Sequence, residues 1–233
     1  MTRPPLVDRL RASAPQISVG VLTADWLTLG AQLELMERAG VELLHFDVMD
    51  GAFCPMLTLG APVVAGFKTR LLKDVHLMIE DPLSKLDGFV AAGADIITVH
   101  VESTRHVHRV LQALGKMINA NDPNRGIVRG IALNPGTPLE AIEPLAGEFE
   151  MVLLLAVNPG WGGQKFIAST CERVKRVREI VRDTALICVD GGVTQDNIAN
   201  VARLGADIIV TGSAVFDGKA PFENAQHMMH ALR

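Results

Sequence analysis

The sequence has no tyrosine, only 4% aromatic residues and just three cysteines among its 233 residues. So few aromatic side chains exclude a stacking platform for single-stranded nucleic acid, and a net charge of −4 argues against nucleic acid as a partner. The scattered cysteines fit neither a disulfide framework nor a zinc motif, and as free thiols they suit the reducing cytoplasm. The longest apolar run, residues 151–157, is too short to cross a membrane. We therefore expect a cytoplasmic protein with neither membrane nor nucleic acid as its partner.

Eight short apolar runs alternate with longer amphipathic segments. The runs are nearly continuous, as is typical of parallel strands buried on both faces. An open doubly wound sheet shares this alternation, but the count of eight and the lack of a Gly-rich loop after the first run favour a (β/α)8 TIM barrel of the α/β class. We expect an irregular N-terminal extension over residues 1–16 and a single barrel domain over residues 17–233. The predicted strands are residues 17–22, 43–49, 75–79, 96–101, 130–134, 151–157, 185–190 and 208–212.

The second predicted strand carries polar residues on one face. Alternation with period two places His45, Asp47 and Met49 on one side, with apolar side chains between them on the other. Because the apolar face must pack against helices, His45 and Asp47 are expected to point into the barrel. A buried, unpaired carboxylate is costly, so Asp47 must be paired, protonated or bound to a metal. A structural hydrogen bond between His45 and Asp47 explains these two residues equally well.

The third and seventh predicted strands add residues to this site. The same alternation points His76 and Met78 inward, on the strand next to His45 and Asp47. Asp190 is the last residue of the seventh strand, which closure of the ring places across the barrel. Two imidazoles and carboxylates at one end of a barrel are typical of a metal-ligand set.

Glycine-rich loops follow the last three predicted strands. Glycine lets a ligand approach backbone N–H groups closely, and barrels hold phosphates at this end, after their final strands. His100 and Glu102 end the fourth strand, and they either border the same site or have a structural role. The loop residues with a predicted ligand contact are Gly160, Trp161, Gly162, Gly163, Gly191, Gly192, Gly212 and Ser213.

Seven segments of the chain carry a distinctive pattern. They are LTADW at 22–26, HFDVMDGAF at 45–53, DVHLM at 74–78, LNPGTP at 133–138, VNPGWGGQKF at 157–166, VDGGV at 189–193 and GSAVF at 212–216. In this order they resemble the ribulose-phosphate 3-epimerase family over nearly the whole chain. The resemblance implies a barrel of the ribulose-phosphate-binding type. It also implies an isomerase of carbohydrate metabolism, in the pentose phosphate pathway.

The resemblance further implies a reaction and its catalytic residues. The expected epimerase inverts C3 of D-ribulose 5-phosphate to give D-xylulose 5-phosphate through an enediolate, with Asp47 as proton acceptor and Asp190 as proton donor. A divalent metal ion, either zinc, iron, manganese or cobalt, is expected as cofactor, and assembly as a homo-oligomer is expected by analogy with related barrels. The implied metal ligands are His45, Asp47, His76 and Asp190.

The same resemblance assigns the rest of the pocket. His76 and Asp190 are expected to contact the sugar phosphate together with the glycine loops named above. An apolar wall is expected from Met49, Met78 and Leu155, where the last residue replaces a methionine of the family pattern. Such a wall would keep the reactive intermediate away from water.

The chain departs from the family pattern near the predicted site. Val19 and Gly20 stand where the family usually has a Pro-Ser pair, and Met56 replaces an asparagine. Because that serine normally contacts substrate, a related epimerase for another ketose phosphate, such as a hexulose 6-phosphate, is a second hypothesis. A lyase or decarboxylase is disfavoured because the third strand lacks the Asp-x-Lys-x-x-Asp pattern. The intact acid–base positions disfavour a non-catalytic sugar-phosphate-binding protein.

Overall fold

The computed structural model describes residues 6–232, and its centre is a closed barrel of eight parallel strands. Each strand pairs with the next along the chain, and the last pairs with the first, with Ile17 opposite Ile209. All eight predicted strands and the predicted (β/α)8 fold are confirmed. The strands, β1 to β8, are Gln16–Gly20, Leu43–Met49, Leu72–Met78, Ile96–His100, Val128–Leu133, Met151–Leu155, Leu186–Asp190 and Ile208–Thr211.

Helices connect most of the strands. Between β5 and β6 the chain forms only the 3-10 helix Leu139–Leu145, and Pro144 within it has no N–H to continue an α-helix. Within residues 6–232, no helix combines the length and the hydropathy that a membrane crossing needs. The α-helices, α1 to α8, are Leu6–Ala12, Leu29–Ala39, Ala61–Gly66, Leu86–Ala91, Val107–Leu114, Thr170–Val181, Ile198–Ala202 and Pro221–His230, and the other 3-10 helices are Val21–Thr23 and Pro82–Lys85.

Side chains of the strands alternate between two separate apolar cores. On β2, Phe46 and Val48 belong to the core between barrel and helices, whereas Leu43 belongs to the core inside the barrel. His45 and Asp47 share the inward face with Leu43, since side chains two residues apart lie on the same side of a strand. The predicted inward orientation of these two polar residues is therefore confirmed.

The N-terminal segment is not wholly irregular, which corrects the expectation for residues 1–16. Leu6–Ala12 form helix α1. Leu6 and Leu10 lie one helical turn apart, and both are buried in the core inside the barrel. Burial of this apolar pair stabilises a short helix that local sequence alone does not specify. Residues 1–5 lie outside the described residues, and the division into extension and barrel domain stays a prediction.

Acidic residues at the N-terminal ends of the strands are paired with arginines. Asp207, just before β8, accepts hydrogen bonds from the Ile187 backbone N–H and from the Arg178 guanidinium, each at 2.7 Å. The acidic residues before β4 and β6 likewise accept a backbone N–H of the preceding strand and an arginine. These pairs, which we call the N-terminal rim, are Asp95 with Arg125, Glu150 with Arg129, and Asp207 with Arg178.

Candidate active site

Four side chains from three strands meet at the C-terminal end of the barrel. β2 supplies His45 and Asp47, β3 supplies His76, and β7 supplies Asp190. One potential ligand atom from each residue lies within 4.8 Å of those from the other three. Asp47 and His76 are opposite each other in the β2–β3 ladder, whereas closure of the barrel brings in Asp190. The structure therefore brings together the four residues that the sequence predicts to converge, which we call the His–Asp cluster.

The two histidines of the cluster direct ring nitrogens at the two carboxylates. Asp47 Oδ1 lies 3.3 Å from both His45 Nε2 and His76 Nδ1. Asp190 Oδ2 lies 3.7 Å and 3.6 Å from the same two nitrogens. Both rings are fully buried, whereas the Asp47 and Asp190 side chains are 19% and 13% exposed. The cluster is thus closed on its histidine side and open to solvent on its carboxylate side.

The donor set of the cluster fits a divalent metal ion. His45 Nε2 is buried and has no hydrogen-bond partner among the described residues, although buried polar groups are normally satisfied. This nitrogen faces the oxygens of Asp47 and Asp190. A cation bound there would satisfy it, because imidazole nitrogens and carboxylate oxygens together suit zinc, iron, manganese and cobalt.

The electrostatics of the cluster favour positive charge between its carboxylates. Burial alone would lower the pKa of His45, but Asp74 and Asp47 raise it well above its ordinary value. Burial would also lower the pKa of His76, yet hydrogen bonds with Asp190 and Asp47 raise it. For Asp47, burial would raise the pKa, but His45 and His76 hold it well below its usual range. Protons on the rings and a bound cation would therefore compete for the same carboxylates.

Asp74 is a site residue that has no predicted role. His45 Nδ1 lies 2.7 Å from Asp74 Oδ2, and the Ser18 hydroxyl donates to the same oxygen at 2.9 Å. All three residues are fully buried. The alternation of β3 could have identified Asp74, because it stands two residues before His76 and therefore shares the inward face of the strand. The structural hydrogen bond considered for His45 and Asp47 is thus made to Asp74, which leaves Nε2 of His45 to face the cluster.

His100 and Glu102 contact the cluster from the end of β4. His76 Nε2 lies 2.8 Å from His100 Nε2, and His100 Nδ1 lies 3.0 Å from Glu102 Oε2. Burial lowers the pKa of His100 to about 4 in spite of the hydrogen bond with Glu102, so its ring is neutral at pH 7. Glu102 in turn accepts hydrogen bonds from the Asn134 N–H and the Thr137 hydroxyl. The sequence left open whether His100 and Glu102 border the site or have a structural role. Their contacts with the cluster favour a role at the site.

Apolar side chains lie beside the cluster at the ends of their strands. Met49 and Met78 are opposite each other at the end of the β2–β3 ladder. Leu155 is opposite Asp190 at the end of the β6–β7 ladder. Met78 and Leu155 are buried, and Met49 is half-buried. These positions suit the predicted pocket wall, whose contact with substrate stays a prediction.

The loops after β2, β6 and β7 pack closely at the same end of the barrel. A Cβ on Gly160 would lie 2.6 Å from Pro55 Cδ, and one on Gly191 would lie 2.3 Å from Val157 Cγ2. The two glycines also have φ angles of 110° and 101°, a region that disfavours other residues. Packing and backbone conformation therefore require glycine at these two positions whether or not a ligand binds.

Other predicted contact positions are open to solvent or have free donors. A Cβ on Gly162 or Gly163 would meet no atom within 4 Å, and Trp161 is half-exposed. The backbone N–H groups of Gly192 and Ser213 donate to no backbone acceptor within the described chain. Such groups suit an anion, and their contact with a phosphate stays a prediction.

The departures from the family pattern lie at the same end of the barrel. Gly20 is the last residue of β1, and a Cβ there would lie at an ordinary contact distance of 3.4 Å from the Cα of Gly212. A Cβ at Gly20 would therefore make an ordinary contact with the loop after β8. Met56, in the loop after β2, is 40% exposed.

Comparison with known proteins identifies the family. A family model described as "Ribulose-phosphate 3 epimerase family" matches residues 16–216. The chain is 41% identical over 208 residues to the ribulose-phosphate 3-epimerase of Aquifex aeolicus, covering 87% of this chain and 90% of that protein. It is 39% identical over 207 residues to the Bacillus subtilis protein of that name, covering 86% and 92%. A "Putative epimerase LsrE" of Salmonella typhi is 38% identical over 221 residues, covering 93% and 87%.

Solved structures that share the barrel are more distant in sequence. The 3-hexulose-6-phosphate synthase of Salmonella typhimurium has a TM-score of 0.65 at 20% identity, covering 93% of this chain and 98% of that one. The orotidine 5'-phosphate decarboxylase of Pyrococcus horikoshii has a TM-score of 0.67 at 15% identity, covering 94% and 99%. This likeness shows the fold alone. On the family match and its close relatives, the chain is an epimerase that belongs to the ribulose-phosphate 3-epimerase family.

Proposed function

We propose that this epimerase inverts C3 of D-ribulose 5-phosphate to give D-xylulose 5-phosphate, with Asp47 and Asp190 as its acid–base pair. The observation that carries the proposal is the arrangement of these carboxylates. They project from β2 and β7, on different sides of the barrel, and their oxygens come within 4.8 Å of each other beside two buried histidines. Two carboxyl groups that approach from different sides suit proton transfer to the two faces of one carbon.

In the proposed reaction, C3 loses a proton from one face and gains one on the other. The Asp47 carboxylate takes the C3 proton, and the electrons of the broken C–H bond form the C2–C3 double bond of an enediolate. Asp190 then delivers a proton to the opposite face of C3, while the carbonyl at C2 is restored. The lowered pKa of Asp47 keeps it ionised, which is the state that accepts a proton. In the reverse reaction the two residues exchange roles.

His45, Asp47, His76 and Asp190 are the residues that would hold a divalent cation, and the ligand set suits zinc, iron, manganese or cobalt. When bound, the cation supplies Lewis-acid stabilisation of the negative charge that develops on the substrate oxygens. The protein itself contributes the fixed position of its four donors, two of which are on fully buried rings.

The remaining pocket residues would orient the sugar phosphate and exclude water. Met49, Met78 and Leu155 would form an apolar wall beside the enediolate. Binding of the phosphate, remote from C3, would hold the reacting carbon in position between the carboxylates. The proposed substrate contacts are His76, Gly160, Trp161, Gly162, Gly163, Asp190, Gly191, Gly192, Gly212 and Ser213.

Proton NMR of D-ribulose 5-phosphate in D2O with the metal-loaded enzyme tests this proposal. We expect deuterium to enter at C3 while D-xylulose 5-phosphate accumulates, because the returned proton comes from a carboxyl group that exchanges with solvent. Exchange without product would mean that the base works on a sugar that does not fit the pocket. Neither exchange nor product would overturn the proposed substrate.

A related ketose phosphate is the second candidate substrate, and Gly20 is the observation that favours it. Gly20 has no side chain where the family pattern has serine, so a longer sugar would meet no hydroxymethyl group at the end of β1. Turnover of D-ribulose 5-phosphate and of a hexulose 6-phosphate should be compared under the same conditions. A higher kcat/KM for the hexulose would replace the first candidate with the second.

We also expect a cytoplasmic homo-oligomer that serves the pentose phosphate pathway. The three cysteines are free, in keeping with a reducing compartment. Several large apolar side chains are exposed, among them Leu27 at 96% and Leu57 at 76%, and their burial between subunits would favour association. Light scattering of the purified protein tests the oligomer, and a monomeric mass would exclude it.

A further inference from the structure

Two buried chains of hydrogen bonds lead away from the His–Asp cluster, one from each histidine. From His76 the chain runs through His100 to Glu102, over distances of 2.8 Å and 3.0 Å. From His45 it runs to Asp74, over 2.7 Å. Each of these chains of hydrogen bonds ends on a carboxylate. Because a carboxylate can only accept, it determines which ring nitrogens along the chain carry protons.

Proton positions in the His76 chain follow from its carboxylate end. The Glu102 carboxylate can only accept, so Nδ1 of His100 carries a proton. In a ring whose single proton is on Nδ1, the other nitrogen, Nε2, is an acceptor. It lies 2.8 Å from Nε2 of His76, and one proton must lie between two nitrogens at that distance. That proton belongs to His76, so once Nδ1 of His76 gives up the proton that it shares with Asp47, Nδ1 has a lone pair that faces the cluster.

The same reasoning gives His45 the opposite tautomer. The Asp74 carboxylate requires a proton on Nδ1 of His45, and it also accepts from the hydroxyl of Ser18. Nε2 of His45 is then the nitrogen that can offer a lone pair to a cation, and it has no hydrogen-bond partner in the described part of the chain. The two rings therefore present different nitrogens, Nδ1 of His76 and Nε2 of His45, to one point between the carboxylates.

We propose that Glu102, acting through His100, is a positioning residue that holds His76 in the tautomer able to bind the metal ion through Nδ1. Partners of this kind orient the metal-binding nitrogens of histidines in general. This inference rests on the proposed metal site and adds a residue outside its four ligands. Through its other oxygen, Glu102 accepts hydrogen bonds from the Asn134 N–H at 2.9 Å and from the Thr137 hydroxyl.

The test measures zinc affinity and histidine tautomers, so it does not depend on turnover. Metal-stripped wild-type protein and its Glu102→Gln and His100→Gln variants are titrated with Zn²⁺ against a chromophoric chelator. We expect each variant to lose about 10- to 100-fold in affinity. Two-dimensional ¹H–¹⁵N spectra of the zinc-loaded wild type should show His76 protonated at Nε2 and His45 protonated at Nδ1.

Two matched controls separate this role from a purely structural one. Thr137→Val removes a hydrogen bond of Glu102 to the loop after β5 but leaves the contact with His100. Glu148→Gln removes the negative charge from a histidine–glutamate pair on the surface, in which His108 Nε2 lies 3.7 Å from Glu148 Oε1. Both controls should keep the wild-type zinc affinity and the wild-type tautomer of His76.

The possible outcomes distinguish this inference from the proposed metal site. If wild-type protein binds no zinc, both the site and the inference fail. If it binds one zinc ion but Glu102→Gln keeps the same affinity, the site stands and the inference is wrong. An equal loss of affinity in Thr137→Val also overturns it, because the loop contact would then explain the effect. Should the variants not fold, a wild-type spectrum with His76 coordinated through Nε2 is sufficient to refute it.

Discussion

The carboxylates at the two ends of the barrel differ in their partners. At the N-terminal rim, Asp207 has the Arg178 guanidinium and the Ile187 backbone N–H as donors, each at 2.7 Å. At the C-terminal end, Asp47 and Asp190 have histidine nitrogens at 3.3–3.7 Å, and no lysine or arginine nitrogen within 4.0 Å among residues 6–232. The carboxylates of the N-terminal rim are thus satisfied by fixed donors, whereas those at the C-terminal end are available to a ligand.

This difference separates residues that stabilise the fold from residues that perform chemistry. A carboxylate with a fixed guanidinium and backbone donors has little left to offer a ligand, and removing it leaves those donors unpaired. A carboxylate beside buried histidines can bind a cation or transfer a proton, and such sites keep charges that stability alone would not favour. Substitutions at the two ends should therefore have different consequences.

The largest expected effect comes from Asp190→Asn. Because an amide cannot deliver the proton, we expect kcat for epimerisation to fall by about 10²- to 10⁴-fold. Turnover should be measured with the metal content of wild type and variant determined in parallel, since Asp190 is also a proposed ligand. Circular dichroism should show a folded variant. A kcat within a few-fold of wild type would exclude Asp190 as the proton donor.

The second largest expected effect is a change of stability with pH that is caused by His100. The pKa of His100 is lowered to about 4 from an ordinary value of 6.5, so between these values the unfolded chain takes up a proton that the native chain does not. Metal-stripped protein should lose stability as the pH falls from 6.5 to 4, with a contribution from His100 on the order of 3 kcal/mol.

Urea denaturation at several pH values, compared between wild type and His100→Phe, measures this contribution. The phenylalanine ring can replace the packing of His100 against Phe53, whose ring centroid lies 4.6 Å away. We expect the variant to show a weaker loss of stability over the same pH range. Parallel curves for the two proteins would contradict the lowered pKa.

At the N-terminal rim, Asp207→Ala should cost stability without affecting the reaction. The substitution leaves the Ile187 N–H and the Arg178 guanidinium without their acceptor, which we expect to lower the free energy of unfolding by about 2 kcal/mol. Urea denaturation measures this loss, and kcat per folded molecule should stay at the wild-type value. A large fall in kcat at unchanged stability would remove the distinction between the two ends.

The smallest expected effect on stability comes from Gly162→Ala. A Cβ at Gly162 meets no atom within 4 Å, so the midpoint of thermal unfolding should barely change. If the loop contacts the sugar phosphate, the methyl group should raise KM more than it lowers kcat. Gly30→Ala in α2, where a Cβ also meets no atom within 4 Å, is the matched control with unchanged KM. An unchanged KM in both variants would remove Gly162 from the proposed contacts.

The strands were predictable because they are apolar runs buried on both faces. Their boundaries were harder to predict. The predicted third strand starts three residues after the observed Leu72–Met78. Lys73 and Asp74 make its beginning read as polar. In the folded chain the Lys73 ammonium donates to the carbonyl oxygens of Val64 and Ala92, so these residues belong to a buried strand. Local composition cannot reveal partners that come from distant segments.

The set of side chains that point into the barrel follows from the sequence alone. Alternation with period two fixes the direction of His45, Asp47 and His76, since a strand buried on both faces has no other way to separate polar from apolar residues. The count of eight strands was enough to bring Asp190 to the same end of the barrel.

The nitrogen that each histidine directs at the cluster depends instead on contacts made in the folded chain. That choice depends on Asp74 beside His45 and on His100 beside His76, at distances of 2.7 Å and 2.8 Å. Periodicity gives the direction of a side chain, but contact at hydrogen-bonding distance depends on strand register and on the packing of whole rings. Those arise only when the barrel closes.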